Sequence, residues 1–291
     1  MRDEKQRRDG SELKDKNGLT EKDFLASYTP KAYPRPSVAA DMVVFTVTDE
    51  EKDNYRKLPR KELRVLLIQR GGHPYLNCWA LPGGFVRPEE TTEQTACREL
   101  REETGVDKVY LEQLYTFSQP GRDPRTWVMS CAYMALIDSG KVCVQAGDDA
   151  AGAAWFEVSL RMREERDGKE VWELKLSKGE QQMEALLEKE KEGTFAGGRI
   201  LENNGLAFDH AQIIAYGLER LRGKLAYTDL ALGLMPEYFT LTQLQQVYEI
   251  ILDKKLLAAA FRRKIAPMVE GTEKYTENEG HRPSQLFCKR R

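Results

Sequence analysis

The stretch "GGFVRPEETTEQTACRELREETGV", Gly83–Val106, constrains this chain more than any other, because it fixes a glycine turn, a helix and a cluster of acids at set spacing. A Pro-Gly-Gly turn stands directly before apolar residues that recur at helical intervals. On a helix, Glu99 and Glu103 lie about 40° apart around the axis and Glu102 joins them, so three carboxylates share one face. Ala96, Cys97 and Leu100 form a small packing stripe opposite, and Thr104-Gly105 supplies a C-terminal stop.

Bunched anions repel unless cations neutralise them, and carboxylate oxygens suit Mg²⁺ or Mn²⁺ better than zinc. Arg98, four residues before Glu102, is expected to pair with it and leave Glu99 and Glu103 free for metal. Gly83 and Gly84 let backbone approach the same place, so a Gly83 carbonyl is a further candidate ligand. An ordinary solvated Glu/Arg helix would also explain the composition, but nine positions at fixed spacing favour the metal reading.

Those nine, Gly84, Glu90, Arg98, Glu99, Leu100, Glu102, Glu103, Gly105 and Val106, resemble the Nudix box. The resemblance implies a hydrolase of nucleoside diphosphate-linked compounds that uses Mg²⁺ or Mn²⁺ held by Glu99, Glu102 and Glu103, with Glu99, Arg98 and Glu102 in the catalytic machinery. The metal would neutralise a pyrophosphate and lower the pKa of an attacking water, and a carboxylate would take the proton. Glu99 is the first choice for that base, with the loop acids Asp148 and Asp149 as alternatives.

With 291 residues the chain is long for one compact domain and comfortable for two. A net charge of -2 gives no global attraction to nucleic acid, so any such affinity must be local. The charged N-terminal stretch contains no signal-peptide core and no later run reaches the length of a membrane span, which predicts a cytoplasmic protein. Five scattered cysteines, none paired as CxxC, are expected to be reduced and mostly in the core.

Composition shifts suggest four segments: a tail and short helix over 1–32, a catalytic domain over 33–160, a charged insertion or linker over 161–207, and a small domain over 208–291. In the second segment, "VAADMVVFTV", "ELRVLLIQR", "KVYLEQLYTFS", "TWVMSCAYMALI", "KVCVQ" and "GDDAAGAAWFEV" read as strands around the central helix. The insertion is expected to hold one strand and one helix, the helix in "VWELKLSKGEQQMEALLEKEKE". "DHAQIIAYGLERLRGKL" reads as a helix with Asp209 at its N-cap.

Beyond the box, "YLNCWALPGGFV", "FSQPGRDPRTWVMSCAYMAL" and "GDDAAGAAWF" resemble the Nudix subgroup of ADP-ribose pyrophosphatases and Nudix-related transcriptional regulators of NAD metabolism. The likeness runs from about Phe24 to the C-terminus, apart from 161–204. The "GRDPR" turn sets Arg122 and Arg125 where guanidinium groups can grip phosphate or ribose oxygens, and Arg70 at a strand end is a weaker candidate. Gly84 completes the substrate-binding set. ADP-ribose is the expected substrate class and a homodimer the expected assembly.

At the C-terminal end, Thr240 and Gln243 form a capping box ahead of Leu244, Val247, Ile250 and Ile251. A second helix ends in Arg262, Arg263 and Lys264, and a hairpin follows, a pattern that resembles a winged helix. Together these imply an α+β chain: a Nudix fold, its mixed β-sheet sandwiched between helices as α/β/α, followed by a winged-helix-like domain. DNA is then a further candidate partner, met by Arg262, Arg263, Lys264 and Arg282. Glu270, Glu273, Glu277 and Glu279 oppose that reading by repelling phosphates, and the intact box ranks an enzyme ahead of an ADP-ribose-sensing repressor.

Overall fold

The computed structural model describes residues 13–29, 34–49, 60–105, 110–138, 150–191, 198–276 and 283–290. It divides into two compact units, Met1–Pro36 and Ser37–Arg291. In the first, α1 (Glu21–Ser27) is the expected short helix. Its capping box pairs the Thr20 hydroxyl, which accepts from the Asp23 amide, with the Asp23 carboxylate, which accepts from the Thr20 amide.

The second unit is organised by β1 (Ser37–Asp49), in which every residue from Ala39 to Val47 is buried. A strand buried without interruption needs cover on both faces, and alternate side chains find it on opposite sides. Ala40, Met42 and Val44 pack with Ala96 and Leu100 of α2 (Thr92–Thr104). Val43, Phe45 and Val47 share a core with Ile213, Ile214 and Leu218 of α3 (His210–Lys224). Gly217 lets α3 lie close, since a Cβ there would stand 3.3 Å from Val43 Cγ1.

The other strands are β2 (Lys61–Arg70), β3 (Trp79–Ala80), β4 (Gly83–Phe85), β5 (Tyr110–Phe117), β6 (Val128–Leu136), β7 (Ala150–Arg166), β8 (Lys169–Lys178), β9 (Gln181–Glu190) and β10 (Arg199–Asn204). They form one sheet in the order β10-β9-β8-β7-β2-β1-β6-β5, with β3 on β2 and β4 on β1. Among the described strands β1 and β6 pair in parallel and the other strand pairs of that sheet are antiparallel. Within the second unit, α2 and α3 thus cover opposite faces of a mixed sheet as an α/β/α sandwich. The strand expected in "KVCVQ" lies outside the described residues.

The 161–207 segment departs from expectation, because where described it contains strands and no helix: β7 continues to Arg166, and β8, β9 and β10 widen the sheet. "MEALL" places Met183, Leu186 and Leu187 at helical spacing, which is why it read as a helix. The same segment places Met183, Ala185 and Leu187 at strand spacing, and that stripe joins Leu174 and Leu176 in the core. Charges on the outer face pair across strands, as Lys175 does with Glu184. The four described cysteines are free, as expected, but Cys78, Cys131 and Cys288 are half-buried and Cys97 is exposed where core positions were expected; Cys143 lies outside the described residues.

The winged helix follows α3 through a 3-10 turn, Leu230–Leu234. It comprises α4 (Leu241–Leu252), α5 (Ala258–Ile265) and a wing of antiparallel β11 (Val269–Tyr275) and β12 (Gln285–Lys289). The Thr240–Gln243 capping box forms as expected. Leu244, Val247, Tyr248, Ile251, Phe261 and Ile265 belong to the same core cluster as α3 and the sheet. Two hydrogen bonds tie the helices directly: Arg222 Nε donates to the Ile251 carbonyl at 2.8 Å, and Lys264 Nζ to the Leu225 carbonyl at 2.7 Å. No described helix is long and apolar enough to cross a membrane.

Tyr248 is fully buried and its hydroxyl finds no hydrogen-bond partner among the described residues. An orphaned polar group costs free energy on burial, so Tyr248→Phe should leave stability unchanged or raise it by about 1–2 kcal/mol in a denaturant titration. A loss of stability would mean that the hydroxyl has a partner in solution.

Candidate functional site

The acidic helix α2 begins at Thr91, whose hydroxyl accepts from the Gln94 amide, and ends at Gly105 in the left-handed conformation at φ 71°. Its outer face is governed by Arg98, whose side chain is only 15% exposed. Arg98 grips Glu90 bidentately, Nε to Oε1 at 2.6 Å and Nη2 to Oε2 at 2.9 Å. Its Nη1 also donates to Glu99 at 2.6 Å and to Glu102 at 3.2 Å. The hydrogen bonds from Arg98 hold the Glu90 carboxyl down to about 2, and Glu90 in turn raises the Arg98 pKa.

This corrects the expected pairing. Arg98 does not leave Glu99 free; a guanidinium has donors enough for three acids, and it takes Glu90 and Glu99 more closely than Glu102. Glu102 is half exposed at the edge. Glu103 turns inward instead, where Oε2 accepts from the Gly83 amide at 3.0 Å. Burial first, and then the charge of Glu99, push its carboxyl up to about 8.

The glycines are needed as the sequence implied. A Cβ on Gly84 would overlap the Glu99 carboxylate, so the β4 backbone and that acid are in contact. The donor types fit a hard divalent cation: the oxygens of Glu99, Glu102 and Glu103 beside the Gly83–Gly84 backbone, with half-buried Glu103 short of positive charge. Among the described residues, however, no three His, Cys, Asp or Glu side chains are gathered as a metal cage, since Arg98 holds two of these acids and Gly83 the third.

Gly83 and Gly84 also line a pocket that brings Arg70, Arg122 and Arg125 together, together with Phe85, Phe208 and His210. The most deeply buried of these arginines is Arg122, whose side chain is 6% exposed. Nε and Nη2 bind Asp209 at 2.8 and 2.6 Å, and Nη2 reaches Asp41 at 3.3 Å. Burial opposes the Arg122 charge, but Asp209 and Asp41 outweigh it and the pKa is raised. Arg122 therefore braces the pocket wall through Nε and Nη2, whereas a grip on ligand was expected of it.

Arg70 and Arg125 face the opening. Arg125 is held by Asp123, Nε to Oδ1 at 3.0 Å and Nη2 to Oδ2 at 2.7 Å. Arg70 donates to the Pro74 carbonyl at 2.8 Å. Both guanidiniums lie near the Phe208 ring, at 5.0 and 5.8 Å from its centre, and Arg125 lies 5.5 Å from that of Phe85. Burial and then the charge of Arg125 lower the Arg70 pKa, so the two cations repel each other and an anion would relieve them.

Several pocket residues escaped the sequence reading. Asp41 sits 8% exposed in the apolar run of β1, where it also accepts from Ser130 Oγ at 2.6 Å. A lone acid inside "VAADMVVF" was the available signal. Asp209 is the N-cap residue of α3, as expected, but makes no side-chain capping bond because Arg122 claims its carboxylate. His210 is buried and its Nδ1 accepts from the Leu81 amide at 2.8 Å. Asp148 and Asp149 lie outside the described residues.

On the winged helix, Arg262 and Arg263 are exposed on α5. Lys264 is also exposed, but its ammonium is turned back to the Leu225 carbonyl and lies 5.4 Å from the Tyr248 ring centre. Glu270 and Glu273 are exposed on β11. Arg282, Glu277 and Glu279 lie outside the described residues.

A model of the NUDIX domain matches residues 27–173, and one of the NrtR DNA-binding winged helix domain matches residues 231–288. The chain is 35% identical over 275 residues to the ADPR responsive transcriptional repressor NtrR of Acinetobacter baylyi, covering 93% of this chain and 89% of that protein. It is 37% identical over 129 residues to an ADP-ribose pyrophosphatase of Methanocaldococcus jannaschii, covering 44% of this chain and 66% of that one. Among solved structures, a MutT/nudix family protein from Enterococcus faecalis matches with a TM-score of 0.69 at 31% identity, covering 94% of each chain. Shewanella oneidensis NrtR complexed with a 27mer DNA matches with a TM-score of 0.59 at 29% identity, covering 87% of this chain and 93% of that one.

The buried imidazole makes stability depend on pH. Burial lowers the pKa of His210 from its usual 6.5, so the folded protein refuses a proton that the unfolded chain accepts. Stability is then present above about pH 6.5 and declines below it, by up to about 1.4 kcal/mol per unit. Denaturant titrations between about pH 6.5 and 5.5 read this as a difference, because Glu103, pushed up to about 8, contributes a slope of opposite sign there: on acidification His210→Gln should lose less stability, or gain more, than the wild type. An equal slope in the variant would assign the effect elsewhere.

Proposed function

Since the chain belongs to the Nudix family and carries an NrtR-type winged helix, we propose that it is a DNA-binding regulator whose Nudix pocket receives ADP-ribose or a similar ADP-linked compound. The observation that carries this reading is the dual position of α3. Its first residues, Asp209 and His210, with Phe208 before them, wall the pocket or brace it, and its far end is tied to α4 and α5 through Arg222 and Lys264. A ligand that moves one end loads the other.

The pocket supplies chemistry suited to such a ligand. Arg70 and Arg125 offer a pyrophosphate two cations that otherwise repel, and Phe85 and Phe208 offer apolar rings to a base. Comparison supports the regulator over the enzyme, reversing the order that the intact box suggested. The repressor relative aligns with 93% of this chain, winged helix included, whereas the pyrophosphatase aligns with 44%. We take the protein to act as a homodimer, because paired winged helices read paired half-sites.

A second reading, hydrolysis of the same ligand to AMP and a sugar phosphate, is favoured by the complete box and by the half-buried Glu103 facing Gly83. Glu99, Glu102 and Glu103 would hold Mg²⁺ or Mn²⁺, which when bound neutralises the pyrophosphate and activates water. In either reading Arg98 positions Glu99 and Glu102, and Arg70 and Arg125 orient the ligand.

For the regulator, a mobility-shift assay on DNA upstream of the protein's own gene should show a complex that ADP-ribose weakens at least tenfold. A complex indifferent to ADP-ribose would contradict the proposed coupling. For the hydrolase, ADP-ribose with Mg²⁺ should yield AMP, and Glu103→Gln should abolish most of that yield without unfolding the protein. No AMP from the wild-type chain would remove the second reading and leave the first.

A further inference from the structure

Two buried polar side chains at the floor of the pocket have made only part of the bonds they are capable of. His210 is 5% exposed and Asp41 8%, and both line the pocket. His210 Nδ1 accepts from the Leu81 amide at 2.8 Å, which leaves the proton of the neutral ring on Nε2. Nε2 is therefore a donor. Among the described residues it makes no hydrogen bond, and Asp41 Oδ1 stands 3.9 Å away, too far for one.

Asp41 is divided in the same way. Its Oδ2 accepts from Ser130 Oγ at 2.6 Å and from Arg122 Nη2 at 3.3 Å, whereas Oδ1 accepts from no described donor. Gly83 keeps the space beside Oδ1 clear, since a Cβ there would stand 2.8 Å from that oxygen. Buried donors and acceptors are normally satisfied, so an unpaired donor and acceptor side by side in a pocket mark a place prepared for a partner. Their separation fits one oxygen about 2.8 Å from each, provided that oxygen both accepts and donates.

We propose that Asp41 and His210 read a sugar hydroxyl of the bound ligand: His210 Nε2 donates to the hydroxyl oxygen, and the hydroxyl donates its own proton to Asp41 Oδ1. The inference rests on the ADP-ribose reading above and adds what the pocket floor selects. A carbonyl can accept but has no proton to give. An ionised phosphate has none either, and it would bring negative charge against the Asp41 carboxylate, so the pyrophosphate belongs with Arg70 and Arg125 at the opening. A ligand lacking the hydroxyl leaves both buried groups unpaired, and one carrying a phosphate there is repelled. Either ribose of ADP-ribose supplies the required chemistry.

Titration calorimetry of the full-length protein, without and with Mg²⁺, against ADP-ribose and its monodeoxy analogues tests this, each hydroxyl of either ribose being removed in turn. The analogue that lacks the hydroxyl read at the floor should bind about ten- to hundredfold more weakly than ADP-ribose, and its identity shows which ribose sits there. In Asp41→Asn the gap between ADP-ribose and that analogue should shrink at least about threefold, an effect on discrimination that a merely structural role would not produce. An unchanged gap would remove Asp41 from the proposal, and the wild-type comparison needs no variant to fold. Binding of every analogue within about threefold of ADP-ribose would overturn the hydroxyl inference and leave the ADP-ribose site standing. No binding of ADP-ribose under either condition would overturn both.

Discussion

The buried fork of Arg122 is the contact on which the arrangement of this protein depends. It joins Asp41 of the central strand to Asp209 at the head of α3, closing the floor of the pocket and fastening the helix that leads to the winged helix. Removing one partner from such a buried pair typically costs about 3–5 kcal/mol, because the charge left behind has no solvent to turn to. The network also fixes His210, whose neutral imidazole accepts from Leu81 on the opposite lip. One cation thereby holds sheet, pocket and helix in register.

Arg98 does a comparable task on the other face of the sheet. Its guanidinium gathers Glu90, Glu99 and Glu102, so the repulsion that would weaken an acidic helix is met from within the helix itself. Glu103 is left to the Gly83 amide and to burial, which raises its pKa. The two arginines have opposite consequences. Arg122 leaves little of its pocket free to change, whereas Arg98 holds acids that a competing cation could draw away.

What could be read in the sequence follows from how local each signal is. The box helix, its glycine stop and the Thr240 capping box depend on spacings of a few residues, and all three form. The two-sided burial of β1 was implicit in its apolar run. The Arg122 contacts to Asp41 and Asp209 span 81 and 87 residues, and no local pattern announces such partners. In β9 the sequence permits both helical and strand periods, and packing of Met183, Ala185 and Leu187 on the sheet decides between them. Lys264 looked like a DNA contact because it stands beside Arg262 and Arg263, yet one position around the helix turns its ammonium to Leu225.

The central claim is that the pocket and the winged helix are joined through α3. Hydrogen–deuterium exchange of the full-length protein with and without ADP-ribose measures this most directly. The account predicts altered exchange that starts at 208–212, continues along α3 and reaches the end of α4 near Ile251, where Arg222 is bonded. Changes confined to the pocket loops around Arg70 and Arg125, with α3 and α4 unmoved, would contradict it.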